Sequence, residues 1–144
     1  MLLPNDYVDS ATERISLYTE LDHIKNEEGL ARFIDNLTDR FGPIPRQTQD
    51  LINTVRLRWL AKDLGFEKIS LKNNVMTAHF VGNANSPYYQ TNIFQNILLY
   101  AANHPKRCRV REQEDKLTIT FAAVDTVKDA LILVKELSDN DLPG

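Results

Sequence analysis

The stretch Glu67-Lys68-Ile69-Ser70-Leu71-Lys72-Asn73-Asn74-Val75-Met76-Thr77-Ala78-His79-Phe80-Val81 decides the fold. Its apolar residues alternate, which is the period of a half-buried strand and not of a helix. Glu67–Leu71 and Val75–Val81 therefore read as two strands. Asn73-Asn74 between them tolerates the positive φ of a tight hairpin turn. A helix follows, opened by Ser86-Pro87 and carrying Ile93, Phe94, Ile97, Leu98 and Ala101, until Asn103-His104-Pro105 breaks it. The same unit then repeats. Arg107–Arg111 and Lys116–Ala122 read as strands around a polar turn at Glu112–Asp115. Asp125 caps a last helix with Val127, Ala130, Leu131, Val134 and Leu137 on its apolar side, and the tail 139–144 is expected to fray.

Upstream the period is helical throughout. Ser10 followed by Glu13 is a capping box, which starts a first helix near residue 10. Ala11, Ile15, Tyr18, Leu21 and Ile24 form its apolar stripe. Asn26 caps a second helix, with Glu27 and Glu28 at its positive dipole end. Leu30, Phe33, Ile34, Leu37 and Phe41 face inward, and Gly42-Pro43 stops it. Pro45 opens a third helix as its N1 residue; Leu51, Ile52, Val55, Trp59, Leu60 and Leu64 pack inward, and Gly65 ends it. The order ααα-ββα-ββα gives an α+β class. A three-helix N-terminal lobe precedes a four-stranded, mainly antiparallel sheet with its two helices on one face. We expect one domain over residues 1–144, with a lead-in at 1–9 and the lobe packed on the rest.

Composition narrows the function classes. The chain has 144 residues, 42% hydrophobic and 26% charged, as a folded globular chain should. A net charge of −3 does not suit a polycation that coats nucleic acid. No apolar run approaches the roughly 18 residues of a membrane span, and the start lacks the basic and apolar regions of a secretory signal. The single cysteine, Cys108, excludes an intrachain disulfide and suits a reducing cytoplasm. Charge is unevenly spread: residues 1–39 carry −6, residues 40–72 carry +4, and residues 73–102 contain no Asp, Glu, Lys or Arg.

Reactive constellations are not apparent. The glycines are isolated and form no phosphate-cradling loop, so no nucleotide cofactor is expected. His104 and Cys108 lie four apart, but no second ligand pair accompanies them, so no metal site is expected. No spacing marks a catalytic triad or paired carboxylates, and we expect no catalysis by this chain.

Two polar groups stand out. Arg107, Arg109 and Arg111 alternate with Cys108 and Val110, so the arginines share one strand face. They could clamp phosphates or acidic side chains, as a nucleic-acid-binding accessory domain would, with Tyr88 and Tyr89 available for base stacking. Equally, Glu112, Glu114 and Asp115 could neutralise them by cross-strand ion pairs. Arg56, Arg58 and Lys62 form another basic group, on the third helix. On the second helix, about 100° per residue places Asp39 opposite the core, with Asn36 and Arg40 beside it. That makes a compact patch able to form directional hydrogen bonds and ion pairs with a partner.

Several motifs together carry a resemblance. Leu3-Pro4-Asn5-Asp6-Tyr7-Val8, Arg14, Leu17-Tyr18, Asn26-Glu27-Glu28, Asp39-Arg40-Phe41-Gly42-Pro43-Ile44-Pro45, Arg56-Leu57, Leu60-Ala61 and Leu64-Gly65 resemble the C-terminal domain of the bacterial transcription-repair coupling factor (Mfd) family. The strong part covers residues 2–65. The resemblance implies a fragment of an ATP-driven DNA translocase of nucleotide-excision repair, which removes stalled RNA polymerase and recruits UvrA. It also implies that the domain is regulatory, docking on the UvrB-like N-terminal module of the same protein and masking the UvrA-binding surface until polymerase engagement. The family's docking positions fall at Asn36, Asp39 and Arg40. Asp39 and Arg40 match, whereas Asn36 stands where Glu is common. Asp9-Ser10 likewise replaces a usual Pro-Asp.

Overall fold

The computed structural model describes residues 3–139. Its helices are α1 (Ala11–His23), α2 (Glu27–Phe41), α3 (Arg46–Asp63), α4 (Asn92–Asn103) and α5 (Val127–Asp139). Its strands are β1 (Phe66–Lys72), β2 (Val75–Phe80), β3 (Cys108–Gln113) and β4 (Lys116–Ala122). The chain divides into two units, one up to Arg56 and one from Leu57 on, with the boundary inside α3.

In the first unit the caps sit where the sequence places them. The Ser10 hydroxyl accepts from Glu13 N at 3.2 Å and the Asn26 side chain from Gly29 N at 2.8 Å. Each satisfies a helix-end donor, worth about 1 kcal/mol. Helix α2 buries Leu30, Phe33 and Leu37 and stops at Gly42, whose φ of 88° is free of Cβ strain. Helix α1 departs from expectation. Leu17 and Leu21 are its buried residues, while Ile15 is 65% exposed. The lead-in segment bonds to the buried side. Leu3 N donates to the Tyr18 hydroxyl at 2.6 Å and the Arg14 guanidinium to Val8 O at 2.6 Å, so residues 14, 17, 18 and 21 form the covered side. Pro45 sits one residue earlier than expected: it is not the first helical residue, and its carbonyl accepts the N–H groups of Thr48 and Gln49.

Helix α3 buries Thr48, Ile52 and Val55 in its first part and Leu57, Ala61 and Leu64 in its second. At about 100° per residue these two sets fall on different sides of the helix. Leu57 and Ala61 were not expected inside, and Leu51 is only half-buried. The second set belongs to the core of the second unit.

That core lies on one face of a four-stranded sheet in the order β1-β2-β4-β3, antiparallel at every pairing. Met76, Ala78, Phe80, Ile119 and Phe121 point into it, against Phe94, Ile97 and Tyr100 of α4 and Ala130, Leu133, Val134 and Leu137 of α5. Asn73 and Asn74 adopt φ of 54° and 63°, a two-residue turn with the twist a hairpin wants. The β3–β4 turn is tighter than the expected four residues: only Glu114 and Asp115 turn, at 51° and 65°. The expected long helix from Ser86 is divided. Pro87–Gln90 form a short 3-10 turn, and α4 starts afresh with the Thr91 hydroxyl accepting from Phe94 N. At α5 the cap is Thr126, which accepts from Asp129 N at 3.0 Å, in place of Asp125. Helix α5 continues through Asp139, the first residue of the stretch expected to fray; residues 140–144, like Met1 and Leu2 of the lead-in, lie outside the described residues.

Candidate functional site

Because α2 turns Leu30, Phe33 and Leu37 inward, Asn36, Asp39 and Arg40 are all exposed. They differ in what they are free to do. Arg40 is ion-paired to Glu13 of α1, and its guanidinium carbon lies 4.8 Å from the centre of the Phe41 ring. Asp39 and Asn36 have no side-chain hydrogen bond or ion pair among the described residues. The patch is thus one held cation beside a free carboxylate and a free amide. Glu13 is 27 residues from Arg40 in sequence, so no local pattern announces the pairing.

The basic strand is rearranged. Arg109 and Arg111 are exposed on the sheet face opposite the core, whereas Arg107 stands one residue before β3. It lies in a turn before β3, where Arg107 N and Cys108 N both donate to His104 O, while its carbonyl accepts from Ala122 N of β4 at 2.8 Å. It is half-buried, and its Nε has no partner among the described residues. Burial raises the pKa of Tyr100 and of Cys108, and the positive charge of Arg107 offsets part of both rises. The cross-strand ion pairs weighed from the sequence do not form: neither Arg109 nor Arg111 is paired with a carboxylate among the described residues. Glu112 is opposite Leu117 on the other side of the sheet.

Register extends this face across all four strands. Arg111 is level with Thr118, His79 and Lys68; Arg109 is level with Thr120, Thr77 and Ser70. Lys72 and Lys116 complete the outward positions of β1 and β4. Period-two counting, applied to β1 as well as to β3, was the signal that could have found these lysines. A cavity of about 210 Å³ opens on this face beside Val75, Lys106, Arg107, Arg109, Arg111 and Thr120.

Other candidates resolve into structure. The Tyr88 hydroxyl donates to Leu64 O at 2.6 Å and the Tyr89 hydroxyl to Val81 O, and both rings pack on Phe94. They are helix-start packing and not a base-stacking platform. Arg56 donates to both carboxylate oxygens of Glu27, at 2.7 and 3.0 Å. Among the described residues no group of three His, Cys, Asp or Glu side chains is placed to hold a metal ion. No helix is long and apolar enough to cross a membrane among them.

The two most specific sequence motifs meet in space. The Tyr7 hydroxyl donates to Gly42 O at 2.9 Å, and the Tyr7 and Phe41 rings lie 5.9 Å apart, so the Pro4-Asn5-Asp6-Tyr7 lead-in closes on the Asp39-Arg40-Phe41-Gly42-Pro43 helix end. The sequence model of the TRCF domain matches residues 1–91. The chain belongs to the TRCF domain family. It is similar to the transcription-repair-coupling factor of Rickettsia conorii, 24% identical over 125 residues that make up 87% of this chain and 10% of that protein. Against the transcription-repair-coupling factor of Escherichia coli K12 it is 35% identical over 68 residues, 47% of this chain and 6% of that protein. The chain thus spans a tenth or less of the length of these relatives. A crystal structure of the C-terminal domain of transcription-repair coupling factor has the same fold, with a TM-score of 0.73 over 96% of this chain and 87% of that one, at 17% identity. In this TRCF domain the matched span includes Asn36, Asp39 and Arg40 and stops before Arg107, Arg109 and Arg111.

Proposed function

We propose that this TRCF domain acts without catalysis, by docking on the UvrB-like N-terminal module of its parent factor through Asn36, Asp39 and Arg40. Docked, it masks the UvrA-binding surface until RNA polymerase engagement releases it. The parent is an ATP-driven DNA translocase of transcription-coupled nucleotide-excision repair, working in the cytoplasm. The observation that supports this reading is the exposed, unpaired carboxylate of Asp39, beside the ion-paired guanidinium of Arg40 at the end of α2. A carboxylate left without a partner within its own unit is available for an ion pair with a complementary surface.

Calorimetry of this chain against the UvrB-like module tests the reading. Asp39→Arg is expected to weaken binding at least tenfold, and added salt to weaken the native interaction. Unchanged affinity for Asp39→Arg overturns the assignment of these residues.

A further inference from the structure

We propose that the open face of the β1-β2-β4-β3 sheet binds the sugar–phosphate backbone of duplex DNA without reading its sequence. Lys68, Lys72, Arg109, Arg111 and Lys116 project from this face or its edges, all are exposed, and none is in an ion pair among the described residues. The registered rows across it carry no carboxylate. Carboxylates stand at its margins, Glu67 beside Lys68 and Glu114 and Asp115 beside Lys116, so a chain of net charge −3 gathers unpaired cations on this surface.

The arrangement favours a duplex over other polyanions. One rank of cations stands on β1 and another on β3, separated by three interstrand spacings, about 14 Å. Two ranks at that separation match the scale of a DNA groove, about 12 Å for the major groove, between its two phosphate backbones. The positions between the ranks are Val75, Thr77 and His79 of β2 and Lys116, Thr118, Thr120 and Ala122 of β4, with no Phe, Tyr or Trp on which unpaired bases could stack. No side chain of this face reaches out as a recognition helix would, so contact is with phosphates, which fix register and carry no sequence information. This proposal is independent of the docking patch on α2, which belongs to the other unit.

Fluorescence anisotropy of the 144-residue chain with a labelled mixed-sequence duplex tests it. Four or five phosphate contacts would make affinity fall by about two orders of magnitude between about 50 and 200 mM salt. Arg109→Ala with Arg111→Ala is expected to weaken binding at least tenfold on any sequence and to reduce the salt slope by about two. Arg109→Lys with Arg111→Lys should keep the slope, which separates lost charge from lost folding. Asp39→Arg should leave DNA binding intact, so failure here and failure of the docking reading are distinct. No binding at about 50 mM salt, an unchanged slope in the alanine pair, preference for single strands, or displacement by poly-aspartate at equal charge would each overturn the proposal.

Discussion

Arg40 pairs with Glu13 of the neighbouring helix, while Asp39, one residue earlier on α2, has no side-chain partner among the described residues. Adjacent positions in one motif are thus assigned different work: one ties α2 to α1, the other remains available. Both members of the pair are well exposed, at 49% and 39%, so solvent screening keeps its contribution small. In urea unfolding, Arg40→Ala and Glu13→Ala are each expected to cost no more than about 1 kcal/mol. The double variant should cost less than the two added together, and Asp39→Ala should cost nothing measurable. Additive losses in the cycle would show that the pair does not couple.

Gly65 is a second sharp point. Its φ is 86°, and a Cβ there would stand 2.1 Å from a ring carbon of Tyr88. That ring is held by its hydroxyl on Leu64 O and by Phe80 and Phe94, so it cannot step aside. Gly65→Ala combines backbone strain with overpacking, and is expected to destabilise by about 2–4 kcal/mol. Gly42→Ala, at a similar φ of 88° but with open space around it, should cost only the backbone share, about 1 kcal/mol. Equal midpoints for the two variants would contradict this.

Alkaline pH should weaken the second unit. Burial raises the pKa of Cys108 above its ordinary 9.0 and that of Tyr88 and Tyr100 above 10.0, most strongly for Tyr88, where Tyr89 adds to the rise. Below about pH 9 these groups keep their protons in both states and stability does not change with pH on their account. Above it the unfolded chain releases protons first, so stability falls as pH rises toward the folded values. Chemical denaturation at pH 8 and pH 10.5 should show this loss, and Tyr88→Phe should reduce it. An identical loss in Tyr88→Phe would remove Tyr88 as a cause.

Much of the fold was legible from short-range chemistry. The Ser10 and Asn26 caps, the Gly42 and Gly65 stops and the Asn73-Asn74 turn each follow from one residue's own conformational preference. The repeated ββα unit follows from hydrophobic period. Where reading failed, a distant contact had chosen between local options. Ile15 and Leu17 are equally apolar and two residues apart, and Leu17 lies on the side of α1 where Arg14 and Tyr18 bond to the lead-in. A helix from Ser86 was plausible until Tyr88 and Tyr89 were anchored on Leu64 and Val81, which leaves Thr91 to start α4. Arg107 was expected to open β3, yet its N–H is taken by His104 O in a turn and only its carbonyl bonds to β4, so the strand starts at Cys108.

The candidate sites divide the same way. Sequence alone determined that Asn36, Asp39 and Arg40 face outward, because helical geometry is periodic and the apolar residues of α2 leave a single choice. It also determined that Arg109 and Arg111 share a side. Only tertiary structure decided that Arg40 is engaged by Glu13, that Arg107 is half-buried, and that Lys68 and Lys72 stand across the sheet from the arginines. The reason is physical: periodicity orients a side chain about its own element, whereas its partners are set by strand order and helix packing, which join residues far apart along the chain.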